Sequence, residues 1–383
     1  MKLTPRRIIY LALLAAAGAL LLIEQPESGL GLVLASVRFV LGLALLVLGA
    51  DYMIHGAVRL ARGLGVSPFF IGVTVVAFGT SAPELFASIG ATLKNKGQLA
   101  VGNVFGSNIA NIGLILGITA LIRPIAVERS AVRIDIPLML AATALACLTL
   151  ADPLFGSNGE GPAAVIGTID GLILVVGLVA FVAWNAKTGR IDPDDLEGEF
   201  ESTGEKSSED PADDRPHLAG HTVLVLLGLL GLVGGAEHLV DGATVLALEA
   251  GVSEAIIGLT LVAIGTSLPE LVLSVQAARH GHAEIAVGNV LGSNVFNLLC
   301  VLGIASLVSP LDVPGALLSR DLWIVLGFSV LLWPLMATKL TLSRFEGAGL
   351  VIAYIAYLAL VGGAEFAARA AAPDAAGLAA GAP

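Results

Sequence analysis

Long apolar segments alternate with short polar ones along almost the whole chain. A helix needs about 20 predominantly apolar residues to cross the hydrocarbon core of a bilayer. Eleven segments come close to that length or exceed it, so the pattern predicts an all-α integral membrane protein. The predicted transmembrane helices cover residues 8–23, 35–58, 68–92, 100–122, 134–151, 163–184, 220–247, 255–278, 285–308, 321–337 and 348–368.

The first of these segments is the shortest, and basic residues precede it as they precede a secretory signal. However, the small-residue stretch 15–19 is followed by the apolar residues 20–23, which a mature N-terminus would not need. We therefore expect residues 1–30 to form an uncleaved anchor helix, with a cleaved signal peptide as the alternative.

Composition and charge agree with a membrane protein whose acidic residues are concentrated in one loop. The chain is 56% hydrophobic and 13% charged, whereas a soluble domain is about 25% charged. The net charge is −11, and 11 acidic residues with a single Lys lie between Asp192 and Asp214. We therefore expect a disordered acidic linker at 186–218, and the nearly neutral remainder indicates no nucleic-acid partner.

The distribution of Lys and Arg predicts the orientation, because cytoplasmic loops are enriched in these residues. With eleven helices and a cytoplasmic N-terminus, 15 of the 20 Lys and Arg residues fall on the cytoplasmic side. This orientation places the acidic linker in the cytoplasm and the C-terminus outside. We expect a multi-pass protein of the cell (inner) membrane, with a disordered tail at 371–383.

Two motifs occur twice, at one constant separation. Residues 79–85, Gly-Thr-Ser-Ala-Pro-Glu-Leu, recur with one change at 265–271, and residues 102–108, Gly-Asn-Val-Phe-Gly-Ser-Asn, recur with one change at 288–294. The copies are 186 residues apart, and five predicted helices separate them. Because five is odd, the second copy crosses the membrane in the opposite direction, which is typical of secondary transporters.

The repeat predicts two inverted five-helix halves. We expect them at 31–185 and 219–370, which gives ten core helices with the anchor helix as an addition. In such transporters the substrate binds near the middle of the membrane, where the two halves meet.

The repeated motifs place carboxylates inside apolar helices. Glu84 and its counterpart Glu270 each follow a proline, and a charged side chain at the centre of a bilayer costs roughly 3 kcal/mol or more. Pro83 has no N–H, so the carbonyl of Gly79 loses its helical partner. The preceding Thr and Ser of each motif lie on the same helix face as the glutamate.

The second motif adds a stripe of amides and hydroxyls. Asn103, Ser107 and Asn111 are spaced four residues apart, as are Asn289, Ser293 and Asn297. Hard cations such as Ca²⁺ take six to eight oxygen ligands of these kinds, and two carboxylates balance one divalent ion. The stripes contain no His or Cys, which argues against a Zn²⁺ or copper site.

Each feature taken alone has a structural explanation. A Pro-Glu pair can form a kink, paired glycines allow close helix packing, and asparagines join membrane helices. These explanations do not predict two inverted copies of the same oxygen-bearing residues at one separation.

The motifs resemble the two alpha repeats of the sodium/calcium exchanger family, within the cation/calcium antiporters. The resemblance covers about residues 35–370 and is to the prokaryotic ten-helix members. It implies Na⁺/Ca²⁺ exchange by alternating access, in which helices 35–58 and 220–247 slide past the rest and the Na⁺ gradient drives Ca²⁺ export. It implies no enzymatic activity and no cofactor, because Ca²⁺ and Na⁺ bind as substrates, and we expect a monomer or homodimer.

The resemblance also implies a set of ligands by position. The implied Ca²⁺ ligands are Glu84, Glu270, Thr80 and Thr266. The implied Na⁺ ligands are Glu84, Glu270, Ala77, Ser81, Ser107, Asn111, Ala263, Ser267, Ser293 and Asn297.

One position departs from the family pattern. Prokaryotic members can have Asp where this chain has Asn297, so the site has one titratable carboxylate fewer. The coupled ion therefore stays open, with a Ca²⁺(cation)/H⁺ antiporter or a K⁺-dependent Na⁺/Ca²⁺ exchanger as alternatives. An intramembrane hydrolase would need a nucleophile with a base, which the motifs lack, and a passive channel would not need gradient-coupled sites.

The two helices expected to slide carry five further polar residues. Either they form an ion vestibule or pH-sensitive element, or they are a polar face that lines the gap between helices. They are Asp51, His55, Glu237, His238 and Asp241.

Overall fold

The computed structural model describes residues 5–21, 30–150, 164–188, 218–251, 263–313, 315 and 317–371. Within these ranges the chain is almost entirely helical. The helices are α1 Pro5–Leu21, α2 Leu30–Leu64, α3 Pro68–Leu93, α4 Gly97–Ile122, α5 Ala131–Leu150, α6 Thr168–Thr188, α7 Leu218–Glu249, α8 Leu268–His280, α9 Ala283–Val308, α10 Leu317–Ala337 and α11 Arg344–Ala371.

The helices confirm the prediction of an all-α integral membrane protein. Among the described residues, nine helices are long and apolar enough to cross a membrane, namely α2 to α7 and α9 to α11. α1 is apolar but shorter. The predicted span 255–278 lies partly outside the described residues, and its described part is a helical turn, Ala263–Gly265, followed by α8. Most of the predicted acidic linker and almost all of the predicted tail lie outside the described residues.

α2 and α7 are the longest pair, and their backbones touch. A Cβ atom at Gly42 would lie 2.4 Å from the backbone nitrogen of Leu239, and one at Gly228 would lie 2.5 Å from that of Met53. Only glycine allows such an approach, so the two antiparallel helices pack backbone to backbone. The glycines recur every seven residues in both helices and match across the 186-residue repeat, as Gly42, Gly49 and Gly56 in α2 and Gly228, Gly235 and Gly242 in α7.

α1 packs on this pair. The Tyr10 hydroxyl donates to the carbonyl oxygen of Leu227 in α7 at 2.7 Å, and the Tyr10 ring lies 4.4 Å from that of Tyr52 in α2. Near the other end of α1, Arg38 Nη2 donates to the carbonyl of Leu20 at 2.8 Å. The predicted anchor helix is therefore attached to both members of the α2–α7 pair.

Two short antiparallel sheets join the halves. β1 Ile125–Ala126 pairs with β4 Thr341–Leu342, and β2 Ala164–Ile166 pairs with β3 Leu311–Val313. Each sheet takes one strand from each half of the repeat. We predicted no strands, because segments of two or three residues are too short to show an alternating pattern.

Several helices contain π-helical turns, which are frequent at functional sites. One covers Asn111–Leu116 in α4 and another covers Phe296–Val301 in α9. These two turns are 185 residues apart, within one residue of the sequence repeat. A second matched pair begins α5 and α10, at Ala131–Asp135 and Leu317–Asp321, which are 186 residues apart. The structural repeat therefore extends beyond the motifs that reveal it in the sequence.

Candidate ion-binding site

A break in each motif helix precedes the glutamate. α3 is helical up to Thr80, and Ser81, with φ −81° and ψ 1°, leaves the helical conformation before the helix resumes at Ala82. Ser267, with φ −91° and ψ 5°, makes the same break before α8. The proline of each motif lies in the first turn after the break, where its missing N–H removes no helical hydrogen bond.

This arrangement determines where the two carboxylates stand. Glu84 and Glu270 are each in the first turn of the resumed helix, where the helix dipole favours a negative charge. Both side chains are buried, with 1% of their surface exposed. A buried carboxylate is costly unless a cation or hydrogen bonds compensate for its lost hydration.

The two glutamates come together across the halves. They are close enough for their charges to interact. Ser267 Oγ donates to Glu84 Oε1 at 3.4 Å, so a hydroxyl of the second half contacts the carboxylate of the first. The Thr266 hydroxyl lies beside Glu84, and that of Thr80 lies beside Glu270. The geometry thus joins both predicted carboxylates and both predicted threonines in one place.

Many oxygens of this region have no partner within the protein. Among the described residues, seven buried side-chain oxygens of the repeated motifs and stripes make no hydrogen bond. An unsatisfied buried polar atom costs about 1–3 kcal/mol, and folded proteins leave few of them. Because all seven are oxygens with free lone pairs, a hard cation is the ligand that would satisfy them. They are Ser81 Oγ, Glu84 Oε2, Asn111 Oδ1, Thr266 Oγ1, Glu270 Oε2, Ser293 Oγ and Asn297 Oδ1.

The remaining predicted ligands are placed differently. Ser107 is buried in α4. The carbonyl of Ala77 already accepts the N–H of Ser81 at 3.0 Å and the hydroxyl of Thr80 at 3.4 Å. Ala263 is the first described residue of the helical turn before α8. Among the described residues no group of three or more His, Cys, Asp or Glu could hold a metal ion, so hydroxyls and amides must complete any cation site.

Two asparagines that we did not predict lie within this region. Asn108 and Asn294 end the two copies of the second motif, and both are buried. Asn297 Nδ2 donates to Asn108 Oδ1 at 3.1 Å, and Asn111 Nδ2 donates to Asn294 Oδ1 at 3.4 Å. Their place in a repeated motif was the available signal, but each lies three residues before the stripe asparagine of its own half and contacts the stripe asparagine of the other half.

The two halves differ in the hydrogen bonding of the motif threonine. Thr80 Oγ1 donates to Asn289 Oδ1 at 3.1 Å, whereas its counterpart Thr266 Oγ1 has no partner among the described residues. The amide contact next to it is nevertheless present in both halves, with Asn289 Nδ2 donating to Ser274 Oγ at 3.1 Å and Asn103 Nδ2 donating to Ser88 Oγ at 3.2 Å.

The difference between the halves coincides with a cavity. This cavity, of about 500 Å³, reaches Thr266 and is lined by Pro83, Pro269, Glu237 and Asp241. Its two acids lie on α7, and one of them, Asp241, also pairs with Arg38 of α2 at 3.7 Å.

A contact on the other side of the site bridges α2 and α8. His280 Nδ1 lies 3.5 Å from Asp51 Oδ1, and the rings of His55 and His280 are 6.3 Å apart. His238, in contrast, is fully buried with Nε2 3.1 Å from the carbonyl oxygen of Ala17 in α1. The five polar residues of the α2–α7 pair therefore do not form one face. Asp51 and His55 lie near His280, His238 contacts α1, and Glu237 and Asp241 line the cavity.

One further acid lies between α4 and α5. Burial raises the pKa of the Glu128 carboxyl, and the nearby charge of Glu284 raises it further. The hydroxyl of Ser130 donates to Glu128 Oε2 at 2.8 Å and partly offsets this effect.

Comparisons with known proteins agree with the geometry. The family model described as sodium/calcium exchanger protein matches residues 34–187 and 220–363. Inner membrane protein YrbG of Escherichia coli strain K12 is 35% identical over 86% of this chain and 97% of its own length. Sodium/calcium exchanger MaX1 of Methanosarcina acetivorans is 33% identical over 84% of this chain and 96% of its own length.

A solved structure is also similar. It is the sodium-calcium exchanger NCX_Mj soaked with 10 mM Na⁺ and zero Ca²⁺, with 33% sequence identity and a TM-score of 0.71. The match covers 86% of this chain and 99% of that chain.

Proposed function

The chain belongs to the sodium/calcium exchanger family and is a cation/Ca²⁺ antiporter, and from this premise we propose that it exports Ca²⁺ in exchange for Na⁺. The family consists of transporters, so no catalytic residues are assigned. The Na⁺ gradient supplies the energy, and both ions use overlapping sites in separate steps.

The observation that supports this proposal is the set of seven unpartnered buried oxygens among the described motif and stripe residues, two of which belong to the carboxylates of Glu84 and Glu270. Glu84 and Glu270 supply two negative charges, which neutralise one Ca²⁺, and Thr80 and Thr266 add a hydroxyl from each half. The neutrality of this complex of two carboxylates and one Ca²⁺ matters, because an uncompensated charge in a low-dielectric interior is strongly disfavoured. The proposed Na⁺ ligands are Glu84, Glu270, Ala77, Ser81, Ser107, Asn111, Ala263, Ser267, Ser293 and Asn297.

Alternating access is supported by the difference between the halves. In this conformation the Thr80 hydroxyl is hydrogen-bonded to Asn289. Among the described residues the Thr266 hydroxyl has no hydrogen-bond partner, and it lies beside a cavity lined by Glu237 and Asp241. We infer that ions reach the site from the Thr266 side in this state. The α2–α7 pair slides as one body to close that side and open the other.

The orientation follows from the Lys and Arg distribution. We propose a cytoplasmic N-terminus and acidic linker, an external C-terminus, and a location in the inner membrane, which the name of the Escherichia coli relative supports. In this orientation the cavity at Asp241 faces the outside, and the contact between Asp51 and His280 lies on the cytoplasmic side.

The test is ⁴⁵Ca²⁺ uptake into proteoliposomes, with Na⁺, K⁺ and pH gradients varied in turn. Uptake is expected to require internal Na⁺ and to be insensitive to K⁺. Uptake that ignores Na⁺ and follows the pH gradient would replace the Na⁺ proposal with cation/H⁺ exchange. A dependence on K⁺ in addition to Na⁺ would indicate the K⁺-dependent type.

Two variants test the ligands. Two unit charges 4 Å apart interact by about 4 kcal/mol at the effective dielectric constant of proteins, which corresponds to about a thousandfold in affinity. Glu84→Gln and Glu270→Gln should each abolish Ca²⁺ transport for this reason. Glu346→Gln is the control, because Glu346 caps α11 by accepting the N–H of Ser343 at 2.7 Å. Normal transport in either site variant would remove that glutamate from the site.

A further inference from the structure

The amides of Asn111 and Asn297 have a defined orientation. In each residue Oδ1 is buried without a partner, whereas Nδ2 donates a hydrogen bond. An asparagine amide has a negative and a positive end of similar size, and only the oxygen can bind a cation. An amide at a cation site is therefore useful only if its NH₂ group is held away from the ion.

The groups that hold the two NH₂ groups come from the opposite half of the molecule. Asn108 Oδ1 in α4 accepts from Asn297 in α9 at 3.1 Å, and Asn294 Oδ1 in α9 accepts from Asn111 in α4 at 3.4 Å. Each of these hydrogen bonds is the counterpart of the other in the 186-residue repeat, because position 108 corresponds to 294 and position 111 to 297. All four side chains are 1% exposed, so water does not compete for these bonds.

The accepting asparagines are themselves fixed. Asn108 Nδ2 donates to the backbone carbonyl of Asn294 at 3.1 Å, and Asn294 Nδ2 lies 3.7 Å from Met139 Sδ. If the Asn108 amide were flipped, its NH₂ group would face the NH₂ group of Asn297, and the Asn294 carbonyl would lose its donor. The fixed backbone carbonyl thus determines the orientation of Asn108, and Asn108 determines that of Asn297.

We propose that Asn108 and Asn294 are positioning residues that turn the amide oxygens of Asn297 and Asn111 toward the transported cation. They do not touch the ion. This inference rests on the proposed function, and it adds two residues that act through the ligands. It also makes each half of the repeat responsible for a ligand of the other half.

The test is a double-mutant cycle read by equilibrium binding of ⁴⁵Ca²⁺ to purified protein without Na⁺. Asn108→Leu keeps the size of the side chain but removes the acceptor, so the amide of Asn297 is released. The cation then loses one oriented oxygen ligand, so we expect Ca²⁺ affinity to fall at least about tenfold, which corresponds to about 1.4 kcal/mol. The same substitution is then made in an Asn297→Asp background. A carboxylate has two equivalent oxygens and needs no orientation, so there the loss should be less than about threefold.

The symmetric cycle, Asn294→Leu with and without Asn111→Asp, repeats the test if the first set does not yield folded protein. Asn185→Leu is the control, because Asn185 is a buried asparagine that donates to the carbonyl of Phe181 in α6 at 3.0 Å. It should leave Ca²⁺ affinity unchanged.

The outcomes separate the inference from the proposed function. Equal losses with asparagine and aspartate at position 297 would show a structural role and overturn the inference. Unchanged affinity in Asn108→Leu would also overturn it while leaving the proposed function intact. A parent protein that binds no Ca²⁺ would overturn the proposed function, and this inference with it.

Discussion

The contact between α2 and α7 allows a quantitative prediction, the effect of Gly228→Ala. A Cβ atom at position 228 would lie 2.5 Å from the backbone nitrogen of Met53, 2.7 Å from its Cα and 2.7 Å from the carbonyl oxygen of Gly49. All three atoms belong to the backbone of α2, so no rotation of a side chain can relieve the overlap. To reach an ordinary contact of roughly 3.5 Å, the helices must separate by about 1 Å.

The magnitude follows from two opposing effects. Overpacking of a well-packed interface costs typically about 1–3 kcal/mol. Alanine is favoured over glycine in the interior of a helix by about 1 kcal/mol. The expected net destabilisation is therefore roughly 0–2 kcal/mol, centred near 1 kcal/mol, and it should be larger if the small separation also weakens the contact of Gly49 with α7.

The assay is thermal unfolding of purified protein in detergent. Gly234→Ala is the matched control, since Gly234 lies in the same helix and its Cβ would meet no heavy atom within 4 Å among the described residues. Gly228→Ala should lower the unfolding temperature, and Gly234→Ala should leave it unchanged or raise it. If Gly228→Ala unfolds at the same temperature as Gly234→Ala or higher, the two helices do not pack backbone to backbone.

Two further predictions concern α1 and the acid between α4 and α5. Tyr10→Phe removes the 2.7 Å hydrogen bond from Tyr10 to the carbonyl of Leu227. In the same unfolding assay it should destabilise the protein by about 1 kcal/mol. An unchanged unfolding temperature would show that this hydrogen bond does not hold α1 on α7. Burial raises the folded-state pKa of Glu128, so its ionisation costs stability as the pH rises through that pKa. Glu128→Gln should therefore match the parent near pH 4 and unfold at a higher temperature at about pH 8, whereas an equal shift at both pH values would contradict the pKa argument.

The sequence was sufficient to predict an all-helical membrane fold with an inverted repeat and the burial of Glu84 and Glu270. These features have strong signals, because a membrane helix must be continuously apolar and a buried carboxylate interrupts it. The ends of the helices were predicted less well. α2 extends over Leu30–Leu64 where we predicted 35–58. At its C-terminal end the helix continues past Arg59 and Arg62, at which the apolar segment ends, and at its N-terminal end it includes the apolar residues 30–34.

The packing of α2 on α7 was missed for a different reason. Gly42 and Gly228 lie upstream of the repeated motifs, and glycine is common throughout this chain, which has 46. The seven-residue spacing of these glycines indicates a close helix contact only when the facing helix is known. The same holds for Asn108 and Asn294, whose role depends on a partner 189 or 183 residues away.

The difference between the halves could not be predicted from the motifs at all. Thr80 and Thr266 stand in nearly identical segments, yet one donates to Asn289 and the other has no partner. Under the proposed mechanism each half adopts both arrangements in turn. The opposite state is then obtained by exchange, with Thr266 hydrogen-bonded to Asn103 and Thr80 released beside a cavity on the other side. On this proposal the inverted repeat would let one ion site serve both sides of a membrane, because the two states would be the same pair of arrangements with the halves exchanged.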